Sequence, residues 1–149
     1  LSYSAFTSTY DLSGSVIITK VIDGDSLRSG DLRIRLFGID APELKQQCID
    51  QNGDLWGCGA AAQHQLMALI RKKKELRCNL RDVDRYGRLV MQCFTGSIDI
   101  GAAMVQSGHA IAYRHFSDLY LADEEKAKEA LKGVWQGTFS SPWEWRRQN

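Results

Sequence analysis

Three short segments of this sequence gather carboxylates and arginines: Val21-Ile22-Asp23-Gly24-Asp25-Ser26, Arg35-Leu36-Phe37-Gly38-Ile39-Asp40-Ala41-Pro42-Glu43, and Asp84-Arg85-Tyr86-Gly87-Arg88-Leu89. Taken singly, each has an ordinary reading. Asp-Gly-Asp is a turn with solvated acids, an arginine on the polar face of a strand is surface (Arg33 reads that way), and Tyr-Gly-Arg is hairpin-turn chemistry. Together they could hold a reaction centre. Hard divalent cations take oxygen ligands, and two or three carboxylates with a carbonyl and waters make a modest Ca2+ site. Asp25, Asp40 and Glu43 supply the carboxylates. Ala41 precedes Pro42, which drives it into extended backbone, so its carbonyl can be turned toward an ion. Attack on a phosphodiester builds negative charge on the equatorial oxygens, and planar, permanently charged guanidinium groups neutralise it. Arg35 and Arg88 fit that task, and Glu43 is the candidate to orient or deprotonate the attacking water.

The elements that must position these residues follow from pattern. Residues 14–22 carry the β-branched run Val16, Ile17, Ile18, Val21 and Ile22 and predict a strand ended by the Asp23-Gly24 turn. A second strand follows at about 25–28. A third covers 32–36, where Leu32, Ile34 and Leu36 alternate with two arginines at period two. A helix fits 59–73, with Ala62, Leu66, Leu69 and Ile70 as its apolar stripe and basic residues in its last turn. Strands are predicted at 75–82 and 88–94, joined by the 83–87 turn. A short helix at 100–107 ends at Gly108, and a brief strand covers 109–113. A last helix runs to about Lys132, capped by Asp118 or Asp123 and stopped by Gly133. Pro142-Trp143-Glu144-Trp145 reads as a tail too short for an element, packed back on the domain. Several short strands bury both faces only by closing on themselves, so the expectation is α+β with a five-stranded barrel and about three helices.

The 149 residues suit one domain, residues 14–149, preceded by an aperiodic Ser/Thr/Tyr-rich arm at 1–13. A hydrophobic fraction of 44% and a charged fraction of 25% are ordinary for a globular protein and argue against disorder. No apolar run reaches the roughly 18–20 residues that span a bilayer. The net charge of +1 excludes holding nucleic acid by bulk electrostatics alone, but leaves room for a local basic groove. Arg71, Lys72, Lys73, Lys74 and Arg77 form one basic cluster and Arg81, Arg85 and Arg88 another, each with the alternative reading of a solvated face. No secretory signal stands before the first strand, and the chain begins at Leu1. Four cysteines with no C-x-x-C spacing allow three pairings. Cys78 and Cys93 flank the predicted hairpin symmetrically and Cys48 and Cys58 would close a short loop, so disulfides 48–58 and 78–93 are expected, with four reduced, buried thiols as the other reading. The disulfide reading points to a secreted, periplasmic or other oxidising setting.

In this order the three segments resemble the signature blocks of the staphylococcal nuclease (thermonuclease) family. Gly108-His109-Ala110-Ile111-Ala112-Tyr113 and Val134-Trp135 are similar to it as well, so the likeness covers about residues 14–136. The resemblance implies an OB-fold barrel with three helices and a bound Ca2+. It also implies an endonuclease that takes DNA and RNA as substrates, single strands favoured, and cleaves the 5′ P–O bond to leave 3′-phosphate ends. Carried onto this sequence, Asp25, Asp40 and the Ala41 carbonyl become metal ligands, Glu43 the base, and Arg35 and Arg88 the phosphate clamp. Tyr86 and Tyr113 would line a nucleotide pocket, with Arg85 adding positive charge, since bases stack on aromatic faces. Ser26 and Ala41 stand where the best-known pattern has threonines. The stretch holding Cys48, Trp56 and Cys58 differs from that pattern, and the Tyr113 segment is displaced by one residue.

Two other readings compete. One is a catalytically inactive OB-fold module binding nucleic acid or a protein partner, whose signature would be loss of the charged site residues; all five are present. The other is a disulfide-stabilised interaction domain with Trp143 and Trp145 as an exposed patch, against the simpler reading of tail packing. His64 and His115 lack ligand-spaced partners and receive no role, and no obligate protein partner is evident.

Overall fold

The computed structural model describes residues 13–70, 74–115 and 117–149. Residues 1–12 of the arm expected at 1–13 and three members of the first basic cluster, Arg71, Lys72 and Lys73, lie outside the described residues, and Ser13 already belongs to the first strand.

The long predicted first strand is two strands, β1 (Ser13–Ile17) and β2 (Lys20–Asp23), with the chain changing partner between them. The other strands of the main sheet are β3 (Ser26–Ser29), β4 (Leu32–Leu36), β8 (Glu75–Val83), β9 (Leu89–Thr95) and the two-residue β10 (Ile98–Asp99). They form a mixed sheet in the order β1-β8-β9-β4-β3-β2, with β10 on β9. Among the described strands only β4 and β9 run parallel, Ile34 opposite Leu89 and Leu36 opposite Met91. Between the two edge strands, the Ile18 N–H donates to the Lys74 carbonyl beside β8, and the Thr19 N–H donates to the Arg28 carbonyl on β3. One continuous stretch thus reaches both ends of the ladder.

Three further strands have two residues each: β5 (Ile39–Asp40), β6 (Cys48–Ile49) and β7 (Leu55–Trp56). β5 pairs with β11 (Ile111–Ala112), and β6 with β7. Pairs this short carry no detectable period, and the sequence reading held only the last of them, inside 109–113.

Among the described residues there are four α-helices, α1 (Cys58–Ile70), α2 (Ile100–Gln106), α3 (Leu121–Glu129) and α4 (Pro142–Gln148), and one 3-10 turn, Gly133–Gln136. α1 buries Ala62, Leu66 and Ile70, spaced by four, against the sheet. α2 is capped by Asp99, which accepts from the Ala102 N–H, and Gly108 follows it at φ 75°, as its C-terminal glycine predicts. Neither Asp118 nor Asp123 caps α3. The cap position is Tyr120, held by burial and by its hydroxyl, which donates to both oxygens of Asp99.

The largest correction is the tail. It forms helix α4, because Ser141 accepts from the Glu144 N–H and Pro142 occupies the first helical position, where its missing N–H costs nothing. Among the described residues the α-helices therefore number four, where about three were expected.

The main core joins the inner face of the sheet to α1 and α2 through Leu27, Ile34, Leu36, Leu66, Ile100 and Met104. A second cluster lies where the tail returns: Cys48, Cys58, Ile111 and Val134, with Trp56, Trp135, Phe139 and Trp143 against them. Both expected disulfides are present, Cys48–Cys58 and Cys78–Cys93, and the latter pair sits directly opposite on β8 and β9. No helix among the described residues is long and apolar enough to cross a membrane.

Candidate active site

Strand order brings the three segments together. β4 lies between β3 and β9, so Arg35 faces Ser26 on one side and Val90 on the other. Asp25 immediately precedes β3 and Arg88 immediately precedes β9. The alternation of β4 buries Ile34 and Leu36 and turns Arg35 to the opposite face. There its guanidinium meets Asp25 Oδ2 at 3.1 Å and Asp40 Oδ1 at 3.2 Å, and donates to the carbonyls of Leu36 and Ile39. Asp40 sits on β5, placed by its pairing with Ile111 on β11; in the same register the Tyr113 N–H donates to the Gly38 carbonyl.

Asp25 is almost wholly buried and Asp40 wholly so. Asp25 Oδ2 accepts from the Ala41 N–H at 2.7 Å, and Asp25 Oδ1 from the Ser26 hydroxyl at 3.1 Å. Burial and the neighbouring Asp25 push the Asp23 carboxyl up to about 8, and the same two causes hold Asp40 at about 6 against the pull of Arg35 and Arg146. The cluster carries more negative charge than its surroundings favour, the condition a cation relieves.

The third segment is built around Asp84. Its carboxylate accepts from the N–H groups of Tyr86 (3.0 Å) and Arg88 (2.9 Å), and pairs with Arg88 Nε at 2.7 Å. Burial alone would raise its pKa, but the bonds from Arg88 and Tyr86 lower it below the ordinary carboxylate value. The Arg33 guanidinium donates to the Tyr86 carbonyl, so this exposed arginine braces the hairpin rather than merely facing solvent. Arg85 lies 5.0 Å from the Tyr86 ring centroid and donates to its hydroxyl.

A cleft of about 730 Å3 opens over this face, and Asp25, Arg35, Glu43, Arg85, Tyr86, Arg88 and Tyr113 all line it. Asp40 and Ala41 do not; both are buried, and Asp40 is reached by Arg35 from the cleft. Asp23, Asp82, Asp84 and Arg146, none of which the sequence reading assigned a role, line it too. A second concavity between the β1–β2 connection and α1, with His64 and Met67 on its wall, contains none of the charged residues of the three segments.

Arg146 is the principal residue missed. From α4 it reaches Glu43 Oε1 at 2.6 Å and the two oxygens of Asp40 at 3.3 and 3.4 Å. A signal for its helix existed: Ser141-Pro142-Trp143-Glu144 has the S-x-x-E spacing of a capping box. Nothing local could show where the helix would dock. Gln46 was missed as well; buried, it accepts from the Glu43 N–H and donates to the Ser140 carbonyl, tying the Glu43 loop to the start of α4. Trp143 packs back as expected, half-buried and stacked on Tyr113 with ring centroids 6.2 Å apart.

Among the described residues no three acidic, histidine or cysteine side chains converge as a ready-made ion cage, and guanidinium groups sit on these carboxylates. The donor set itself fits a hard divalent cation, with Asp25, Asp40 and Glu43 all linked through shared arginines and rich in negative charge.

Comparison with known proteins gives the site its family. A family model described as "Staphylococcal nuclease homologue" matches residues 33–137, which leaves Asp23, Asp25 and α4 outside the matched stretch. The "Succinoglycan biosynthesis protein ExoI" of Rhizobium meliloti is 33% identical over 118 residues, 78% of this chain and 62% of that protein. The "Probable staphylococcal-like nuclease CAN3" of Oryza sativa subsp. japonica is 31% identical over 149 residues, 98% of this chain and 36% of that protein. The chain thus spans less than two thirds of either relative's length. The "Micrococcal nuclease" of Shigella flexneri is 30% identical over 156 residues, 92% of this chain and 82% of that protein. On the extent of the matched model and the coverage of this last relative, the chain belongs to the staphylococcal nuclease homologue family.

Proposed function

We propose that this protein is a Ca2+-dependent endonuclease that hydrolyses the backbone of DNA and RNA and leaves 3′-phosphate ends. The observation that carries the reading is the junction of Arg35 with Asp25 and Asp40 at the base of a cleft walled by Arg85, Tyr86 and Arg88. In this reading Asp25, Asp40 and the Ala41 carbonyl hold the ion, which supplies positive charge at a phosphoryl oxygen when bound. Arg35 and Arg88 neutralise the oxygens of the phosphate as it becomes five-coordinate. Glu43 takes a proton from water as its oxygen bonds to phosphorus. The P–O5′ bond breaks, and the leaving oxygen departs as a hydroxyl with a proton from solvent. Tyr86 and Tyr113 stack the flanking bases and Arg85 attracts the strand.

The scaffold proposed is a single OB-fold domain over residues 14–149 whose sheet closes into a five-stranded barrel. Its support is that β1 and β2, the two ends of the ladder, are consecutive parts of one stretch. The two disulfides favour a secreted or periplasmic setting.

The test is incubation with single-stranded DNA and with RNA, with and without Ca2+, followed by end-group analysis. The expected result is cleavage only with Ca2+, 5′-hydroxyl and 3′-phosphate termini, and recovery after chelation when Ca2+ is restored. Binding without cleavage in Ca2+ would favour the inactive binding module instead.

A further inference from the structure

We propose that Arg146 is a built-in competitor for the divalent cation, so that docking of its guanidinium on Asp40 and Glu43 and binding of the ion are mutually exclusive. The inference rests on the reading of Asp40 as an ion ligand. Its basis is the occupancy of the oxygens. Asp40 Oδ1 contacts both Arg35 and Arg146, Asp40 Oδ2 contacts Arg146, and Glu43 Oε1 contacts Arg146 at 2.6 Å. An ion that takes an oxygen of Asp40 must displace a guanidinium from it.

The two arginines are not equally easy to displace. Arg35 lies in the middle of β4, its side chain 12% exposed, and is bonded to two backbone carbonyls as well as two carboxylates. Arg146 has a side chain 40% exposed, and its seven-residue helix buries only Pro142 fully. The Asp40 end of the pair is buried, but an arriving ion replaces the positive charge that Arg146 withdraws, and the half-exposed guanidinium is rehydrated as it leaves. Arg146 is therefore the group that leaves. It also lies beyond the stretch matched by the family model.

Competition lowers apparent affinity by the fraction of molecules in which the site is free. Calcium titration by calorimetry on the intact protein, wild type against Arg146→Gln, tests this. Arg147→Gln serves as the control, since it removes the same charge from the same turn of α4. The expected result is a Kd about tenfold lower for Arg146→Gln, the scale for a site open in about one molecule in ten, and little change for Arg147→Gln. In the wild type, amide exchange across 142–148 should accelerate when Ca2+ saturates the site, reporting the release of α4 without any measure of activity. Equal Kd values for wild type and Arg146→Gln, equal tightening in both variants, or unchanged exchange would overturn the competition while leaving the ion site intact. No binding heat in any of the folded proteins would overturn the ion-ligand reading itself, and this inference with it.

Discussion

Arg88 and Arg35 differ in what else they hold, and this decides which one can report on chemistry. Arg35 neutralises two buried carboxylates, so its removal would leave Asp25 as a buried charge without its paired cation and confuse catalysis with stability. Arg88 pairs with Asp84 between partly exposed side chains, 31% and 19% accessible, where an ion pair contributes little to folding. Arg88→Ala is therefore expected to lower kcat about 10²–10³-fold, the cost of one preorganised charge stabiliser. Its Tm should stay close to that of the wild type in a thermal melt followed by circular dichroism. Full activity in the variant would remove Arg88 from the mechanism. At this scale the sequence was informative, since Asp25, Arg35, Glu43, Arg85, Tyr86, Arg88 and Tyr113 all reach one cleft. It was silent on Arg146 and Gln46, which each reach a partner far along the chain; Arg146 meets Asp40 across 106 positions and Gln46 meets Ser140 across 94.

Elements act here mainly by where they begin. α1 starts at Cys58, and its second residue, Gly59, lies against the backbone of the Glu43 loop, where an added Cβ would come within 1.7 Å of the Glu43 carbonyl oxygen. The Gly59 N–H also donates to the Gln46 carbonyl, so helix and loop are locked at this point. Gly59→Ala must push backbone apart. We expect it to destabilise by about 1–3 kcal/mol, the usual range for overpacking, and to move Glu43 with it. Urea unfolding measures the first effect, and kcat below the unfolding transition the second; wild-type values for both would show that the loop accommodates the methyl. Periodicity located α1, β4, β8 and β9 well because each spans enough residues to display a period. β5, β6, β7 and β10 have two residues each and left no such trace.

Over the whole molecule, the two disulfides brace different things. Cys78–Cys93 ties β8 to β9 inside the main core. Cys48–Cys58 closes the loop that follows Gln46, and this stretch also grips the chain leading to α4: Ile49 and Thr138 exchange backbone hydrogen bonds, and Gln46 binds the Ser140 carbonyl. Sequence separations of 10 and 15 predict similar chain-entropy contributions, about 3 kcal/mol each. The double variants Cys48→Ser/Cys58→Ser and Cys78→Ser/Cys93→Ser should thus lose comparable stability in chemical denaturation. Only the first should also lose kcat while folded, because it frees the loop that positions Glu43. Equal kcat in both would detach the loop from catalysis.

The sequence by itself determined the local grammar of this protein: the turns at Asp23-Gly24 and Tyr86-Gly87, the alternation that turns Arg35 away from the core, the stripe of α1, and the order of three charged segments that marks the family. Those are properties of neighbours, and short-range sterics and burial settle them. Tertiary structure alone decided which groups share an ion pair. Arg35 reaches Asp25 because β4 lies beside β3, and Arg146 reaches Asp40 because a disulfide-braced loop carries α4 back across the cleft. Such contacts depend on the packing of elements distant in sequence, and no spacing of residues along the chain encodes them.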